Sequence, residues 1–181
     1  NVNMGYMFQN ATSFNQPLGN WNTSNVTAFT NTFDGATTFN QDIGGWTVSS
    51  CRNFASMFYG ASSFNNGSNT NPINDWTFKT SGSINMDSMF RNTTNFNRYI
   101  GSWNVEYVTD MDNMFRVSGF NQNIGAWDMR ARSSFMFQNN SSFNNGGSSS
   151  IDSWFSNSPA IDTTFMFQNA TSFNQPIGSW D

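Results

Sequence analysis

Aromatic and aliphatic residues recur along this chain in a fixed order, separated by polar residues. Each unit has a first Phe, usually preceded by Met, and a second Phe five or six residues later that is directly followed by Asn. An aliphatic residue comes next, and a Trp lies three residues beyond it. Successive Trp residues are 24 to 30 positions apart, a period typical of proteins built from stacked repeats. The seven units are marked by Trp21, Trp46, Trp76, Trp103, Trp127, Trp154 and Trp180.

The residues around the first Phe of a unit have the spacing of a helix. Val26, Phe29 and Phe33 are three and four positions apart, which places them on one helical face. Two positions after the first Phe, six units carry Gly or Asn, which readily adopt positive φ and end helices in a left-handed cap. These candidate caps are Asn10, Gly35, Gly60, Asn92, Asn139 and Asn169, and the fifth unit has Val117 instead.

The segment that contains the Trp has a different rhythm. Trp46 and Val48 are two positions apart, as on one face of a strand, and segments 100–105 and 124–129 repeat this arrangement. The sequence therefore predicts an α/β repeat solenoid of about seven coils, with one short strand and one short helix per coil. No charge shift or proline-rich linker divides residues 1–181, so we expect a single solenoid domain. We also expect this domain to be a fragment of a longer chain.

The balance of charge excludes several classes of protein. Only 10% of the residues are charged, and seven basic residues stand against eleven acidic ones. This balance gives no basic field to attract phosphate backbones, so we expect no nucleic-acid partner. No stretch approaches the roughly 20 apolar residues of a bilayer span, so we expect no membrane span in this segment. The 30 Asn, 25 Ser and 17 Thr residues instead predict an almost neutral polar surface.

Residues suited to catalysis or metal binding are scarce. The chain has no His, which removes Ser–His and Cys–His nucleophile pairs and imidazole metal sites. The single cysteine, Cys51, is interpreted as a buried thiol. Glu106, Asp110 and Asp112 form the one carboxylate cluster along the chain, which we interpret as a solvated acidic patch. We therefore predict a protein that is not an enzyme, with no catalytic, metal-binding or cofactor-binding residues and no cofactor.

Two sets of polar residues are candidates for a specific role. An Asn follows the second Phe of every unit, where an amide can bond backbone groups within and between coils, so we predict a structural ladder. Insertions in the third and sixth units fall at the same point of the repeat, and they are either candidate interaction loops or tolerated loop growth. The ladder comprises Asn15, Asn40, Asn65, Asn97, Asn121, Asn144 and Asn174, and the loops include Asn66, Gly67, Ser68, Asn69, Asn145, Gly146, Gly147 and Ser148.

The repeated sequence motif resembles that of a known family. Phe-Asn-Gln-x-Ile-Gly-x-Trp, then Ser-Asn-Val-Thr, then Met-Phe is similar to the BspA-like leucine-rich-repeat surface proteins, whose repeat is common in bacterial and mycoplasma-type surface lipoproteins. The likeness extends from Met4 to Trp180 and recurs seven times. It implies a leucine-rich-repeat-like superhelix in which Ile-x-x-Trp-x-Val is the strand motif. It also implies a surface or extracellular location and a role in adhesion or cell contact.

These features favour a non-enzymatic, surface-exposed or extracellular repeat scaffold that mediates adhesion or protein–protein interaction. Its expected partners are a protein, a surface glycan or neighbouring copies of the chain. The alternative is a structural subunit of a viral capsid, a fibre or an extracellular filament, which would place the protein on a virion surface or outside the cell. Binding of ice or polysaccharide by rows of Asn, Ser and Thr is a third hypothesis.

Overall fold

The computed structural model describes residues 1–67, 72–148, 151–155 and 161–180. Regular secondary structure in these ranges is limited to four short strands, β1 (Val2–Asn3), β2 (Val26–Ala28), β3 (Ile84–Asn85) and β4 (Val108–Asp110), and to 3-10 turns at Ile73–Asp75 and Asn145–Gly147. The units are numbered 1 to 7 by the Trp that ends each. Most of the chain therefore consists of turns and extended segments that follow the repeat.

The strands join equivalent positions of neighbouring units. Strands β1 and β2 pair in parallel, with Val2 opposite Val26, and β3 pairs with β4 in the same way. Single parallel bridges join Ala28 to Asn53 and Asn53 to Asn85, and another joins Asp110 to Arg132. Paired backbone thus continues from unit 1 to unit 6 at one position of the repeat.

The predicted helix of each coil is wrong, because the described residues contain no α-helix. In the segment assigned to it, four alternate N–H groups of each unit donate to carbonyl oxygens of the following unit, at all six junctions. In unit 2 the four donors are Phe29, Asn31, Phe33 and Gly35, which bond Asn53, Ala55, Met57 and Tyr59 at 2.8–3.0 Å. An N–H that points along the stack is not available to a carbonyl four residues back, so the helix cannot form.

The remaining N–H groups of this segment close four-residue turns. Thr32 N–H donates to the Phe29 carbonyl at 3.1 Å, and Ala36 N–H donates to the Phe33 carbonyl at 3.0 Å. Two successive turns of four residues place apolar side chains three and four positions apart, which is also the spacing of a helical face. Periodicity alone does not distinguish a helix from two successive turns, and this is why a helix was predicted from the sequence.

The spacing between units gives a second physical reason for the absence of helices. The first Phe rings of successive units are stacked with centroids 5.3–5.8 Å apart. An α-helix with its side chains is about 10 Å wide, so one helix per unit does not fit this spacing. The leucine-rich-repeat-like superhelix with a helix in every coil is therefore excluded for this segment.

Positive φ occurs at two fixed positions of every unit, two residues before and two residues after the first Phe. These are the third residues of the two turns, where a type II turn requires positive φ. The predicted candidate caps do have positive φ, but they lie in turns rather than at helix ends. The second set, which the sequence did not indicate, is Tyr6, Asn31, Ser56, Ser88, Asn113, Phe135 and Phe165.

The predicted strand around each Trp is also wrong. In segments 43–48, 100–105 and 124–129 the structure has no strand, and Trp46 N–H instead donates to the Ile43 carbonyl at 3.0 Å. The same turn from aliphatic residue to Trp forms in all seven units. The spacing of three between these residues is therefore the mark of a four-residue turn.

Each Trp from unit 2 onward also bonds the preceding unit through its indole. Trp46 Nε1 donates to the Leu18 carbonyl at 3.0 Å, and Trp103 Nε1 donates to the Ile73 carbonyl at 2.8 Å. The equivalent bonds are made by Trp76, Trp127, Trp154 and Trp180. The indole thus satisfies a carbonyl of one unit while its ring contributes to the core of the next.

The core is a two-dimensional array of Phe rings. Within a unit the first and second Phe are stacked, as in Phe58 and Phe64, whose centroids are 3.9 Å apart. Between units each ring stacks on its equivalent, and the Phe33 and Phe58 planes differ by only 2°. Burying one such side chain contributes about 1.5–3 kcal/mol, and no unit encloses its own rings. Stacking of units is therefore the condition for forming a core.

We predict that Val117→Asn stabilises the protein. Val117 is β-branched, exposed and held at a φ of 55°, where four other units have Asn. Positive φ costs a residue with a Cβ roughly 1–2 kcal/mol, and Asn tolerates it better. The free energy of unfolding in urea should rise by about 1 kcal/mol. The reciprocal change at the equivalent position, Asn92→Val, should lower it by a similar amount, and a stabilising Asn92→Val would contradict this account.

Candidate functional site

The Asn that follows the second Phe of each unit forms a continuous chain of hydrogen bonds. Asn40 N–H donates to Asn15 Oδ1 at 2.9 Å, and Asn65 N–H donates to Asn40 Oδ1 at 2.9 Å. The same bond joins each later Asn to the one before it, through Asn97, Asn121, Asn144 and Asn174. Every unit is thereby fixed to its neighbour at the turn that follows the second Phe.

The two insertions begin with the same two residues, Asn-Gly, and make the same bonds. Asn66 Oδ1 accepts the Ile43 N–H at 2.9 Å, and Asn145 Oδ1 accepts the Ile124 N–H at 2.9 Å. Both of these Asn side chains are completely buried. The first residue of each candidate interaction loop therefore bonds the preceding unit and is not accessible to a partner.

The glycine of each insertion also faces the preceding unit. Gly67 N–H donates to Asn40 Oδ1 at 2.9 Å, and a Cβ on this residue, whose φ is 47°, would lie 2.8 Å from the Asp42 nitrogen. Gly146 N–H donates to Asn121 Oδ1 at 3.0 Å in the equivalent bond. Gly146, Gly147 and Ser148 reach the surface, whereas Ser68 and Asn69 lie outside the described residues.

We predict that Asn40→Ala destabilises the protein by about 2 kcal/mol or more. Asn40 Oδ1 accepts two N–H groups, from Asn65 and Gly67, and each unsatisfied donor costs about 1–3 kcal/mol. Asn40→Asp keeps the acceptor and should restore most of the loss. The measurement is urea unfolding followed by circular dichroism.

Asn174→Ala is the matched control for this experiment. Asn174 takes part in the ladder through its backbone N–H, which alanine retains. Its free energy of unfolding should change by less than about half that of Asn40→Ala. Equal effects of the two substitutions would contradict a specific role for the side-chain oxygen.

An almost uncharged row of polar side chains borders the second Phe of each unit. We call it the polar strip. Arg98 is its one charged residue, and the other members are hydroxyl or amide residues that are exposed or partly exposed. The polar strip consists of Thr12, Ser13, Asn15, Gln16, Thr37, Thr38, Asn40, Gln41, Ser62, Ser63, Asn65, Thr94, Asn95, Asn97, Arg98, Asn121, Gln122, Ser141, Ser142, Asn144, Thr171, Ser172, Asn174 and Gln175.

Hydrogen bonds to the preceding unit orient several side chains of the polar strip. Thr38 Oγ1 donates to the Thr12 carbonyl at 2.8 Å, and Ser172 Oγ donates to the Ser141 carbonyl at 2.6 Å. Gln41 Nε2 donates to the Asn15 carbonyl at 2.9 Å. Because these groups use a hydrogen within the protein, their oxygen atoms retain lone pairs for a partner. The polar strip can therefore bind hydroxyl or amide groups, but it has no group suited to proton transfer at neutral pH.

The acidic cluster expected from the sequence is divided in the structure. Asp110 and Asp112 lie beside Arg132, whose Nη2 is 2.6 Å from Asp112 Oδ2. Glu106 does not pair with Arg132; the pKa of Arg130 is raised mainly by its hydrogen bond to Asp128, and the charge of Glu106 adds to this effect. Burial raises the pKa of Asp112, and it also raises the pKa of Asp87. In the described ranges, no three Asp, Glu or Cys residues come together as a metal site would require.

Cys51 is fully buried, as the sequence predicted, and burial raises the pKa of its thiol to about 12. The thiolate form, which is the reactive one, is therefore scarce at neutral pH.

None of the helical segments in the described part of the chain is long and apolar enough to cross a membrane.

Comparison with known families identifies the repeat. Two overlapping segments, residues 2–78 and 66–180, match the family described as "Mycoplasma protein of unknown function, DUF285". The chain belongs to this family. It is a family of BspA-like repeat type, which agrees with the resemblance seen in the sequence at the level of the repeat. Neither the curated proteins nor the solved structures gave a significant match.

Sequence reasoning missed one group of residues, those that directly follow the first Phe. They are Gln9, Asp34, Tyr59, Arg91, Arg116, Gln138 and Gln168, and we call them the Arg91 column. The column has no shared residue type, so a search for repeated residues does not find it. Its signal in the sequence is the succession of two arginines, Arg91 and Arg116, in a chain with only seven basic residues.

Proposed function

We propose that this DUF285 chain is a non-enzymatic repeat scaffold, displayed at a cell surface or outside the cell, that mediates adhesion or protein–protein interaction. The observation that carries the proposal is the polar strip, which crosses all seven units with a single charged residue. The membership of a BspA-like repeat-type family supports it.

The chemistry of the polar strip favours broad, weak contacts over a single deep site. Its side chains sit at a regular spacing because the ladder and the Phe stacks fix the distance between units. A partner therefore meets many equivalent acceptors, each contributing little, and binding strength grows with the number of units engaged. Such a surface suits attachment to an extended partner, either a protein or a glycan-coated surface.

Attachment of coated beads to cultured animal cells tests the proposal. Fluorescent beads carrying the chain should attach at least tenfold more than albumin-coated beads. A variant with Ser13→Glu, Thr94→Glu and Ser141→Glu should lose most of that attachment. These three side chains are exposed, so the variant adds charge to the polar strip with little effect on packing.

The matched control places three glutamates at exposed positions in or directly after the Trp-containing turns, at Thr47, Ser102 and Ala126. It should attach within twofold of the unmodified chain. Wild-type beads that attach no better than albumin-coated beads would overturn the adhesion proposal. Equal loss in the two triple variants would show that the polar strip is not the contact surface.

The second candidate is a structural subunit of a capsid, a fibre or an extracellular filament. It is favoured by the direction of most backbone bonds between units, since four N–H groups of each unit donate toward the following unit at every one of the six junctions. A contact of this polarity between copies is heterologous and builds open fibres rather than closed dimers. The repeat would then continue from one molecule into the next.

Sedimentation velocity of the purified chain distinguishes the two candidates. A fibre-forming subunit should give a series of species that grows with protein concentration. A scaffold for adhesion should sediment as one species of about 20 kDa across the same range. A concentration-independent monomer would therefore overturn the assembly candidate.

A further inference from the structure

The Arg91 column holds every buried side-chain nitrogen or oxygen atom that lacks a hydrogen-bond partner among the described residues. These atoms are Arg91 Nε, Arg116 Nε and Gln138 Oε1, which occupy the same position in units 4, 5 and 6. Native proteins leave few buried polar groups unsatisfied, so three in consecutive units require an explanation. Gln138 is only 8% exposed, and its Nε2 donates to Gln168 Oε1 while its own oxygen has no donor.

The two arginines of the column differ from the other four of the chain. Arg52 and Arg98 donate to backbone carbonyls, while Arg130 and Arg132 pair with carboxylates. Neither Arg91 nor Arg116 forms an ion pair with a described carboxylate.

The contacts that Arg91 and Arg116 do make are weak. Arg116 Nη1 reaches an amide oxygen, Asn113 Oδ1, at 3.3 Å. Arg91 makes no side-chain hydrogen bond within the described ranges. Two guanidinium groups are thus held at the surface without an ion pair to any carboxylate of the described residues.

Aromatic rings hold both guanidinium groups in place. Arg91 Cζ lies 5.3 Å from the centroid of the Tyr59 ring, and Arg116 Cζ lies 5.7 Å from the centroid of Phe135. The cation–π attraction orients a guanidinium while leaving its N–H groups free for an acceptor. Arg91 and Arg116 belong to neighbouring units, whose first Phe rings are 5.8 Å apart, but Arg91 contacts a ring of unit 3 and Arg116 contacts a ring of unit 6. Two like charges on neighbouring units favour a polyanion that can place a separate carboxylate on each.

The neighbouring residues complete the surface. Asn92 and Asn139 adjoin the column with partly or fully exposed amides, and Val117 between them is 38% exposed at a strained φ. Backbone strain and an exposed apolar side chain in an inner unit are features that cluster at binding sites. The required ligand offers an anion to the arginines, hydroxyl donors to Gln138 and the amides, and a flat apolar face to the rings.

We propose that the Arg91 column of units 3 to 6 is a binding site for an acidic glycan, with one sugar carboxylate on Arg91, another on Arg116 and a sugar hydroxyl on Gln138. A uronic acid combines all three groups in one ring, whereas an acidic peptide carries carboxylates without hydroxyl donors. Both arginine side chains are partly exposed, so rotation of the guanidinium groups is sufficient to present them to the ligand. This inference rests on the proposed function and specifies the class of ligand that the scaffold would bind.

Titration calorimetry of the purified chain with trigalacturonate at low salt tests the site. Wild type should bind, and neutral galactotriose should not bind detectably. The double variant Arg91→Gln, Arg116→Gln should weaken binding at least tenfold, and Gln138→Leu should weaken it severalfold. Arg130→Gln is the matched control, since it removes an exposed arginine that pairs with Asp128 outside the column, and it should bind within twofold of wild type. Thermal unfolding of each variant verifies that it is folded.

Three results would overturn the proposal: no binding of trigalacturonate by wild type, equal weakening by Arg130→Gln, or equally tight binding of a hexa-aspartate peptide. The last would show that charge alone attracts the ligand. Failure here is distinguishable from failure of the proposed function, because the bead assay alters the polar strip and leaves the Arg91 column intact. Beads that attach without trigalacturonate binding would retain adhesion and exclude this site.

Discussion

Four backbone hydrogen bonds at each junction, all donated in the same direction along the stack, determine the local structure of every unit. Because alternate N–H groups must point toward the following unit, the groups between them can bond only within short turns. These turns require positive φ at two positions of each unit. Even Phe135 and Val117, whose side chains disfavour positive φ, adopt it there. The gain from stacking exceeds this strain because no unit buries its Phe rings alone.

Side chains reinforce the same spacing on the other sides of each unit. The ladder joins units through an amide oxygen, and the indole of each Trp bonds a carbonyl of the unit before it. These bonds place polar groups of fixed geometry between the aromatic stacks, so a unit cannot shift in register without leaving several of them unsatisfied. The regular surface, including the polar strip and the Arg91 column, follows from this fixed register.

The sequence was sufficient to predict a repeat and the buried aromatic positions of its inner units, because both depend on residue types that recur. It was not sufficient to predict the backbone between them. The spacing of Phe29 and Phe33 is the same in a helix and in two successive turns, and the contacts between units, namely the backbone bonds and the 5.3–5.8 Å stacking of the rings, decide between these structures. The Arg91 column was missed for the opposite reason, since its residues share a position but not a type. Asn66 and Asn145 were assigned to loops, although their amides are buried, because an insertion alone does not reveal which residues fold back.

The orientation of the bonds at each junction also determines how the protein responds to force. A force applied along the stack acts in line with the four backbone bonds of each junction. The junctions can then break one after another, so the units separate sequentially. A pull across the stack loads the backbone bonds, the ladder and the ring stacks of a junction together, in shear. The same molecule is therefore expected to be compliant along its length and stiff across it, so the mechanical strength of any attachment depends on the direction in which the chain is tethered.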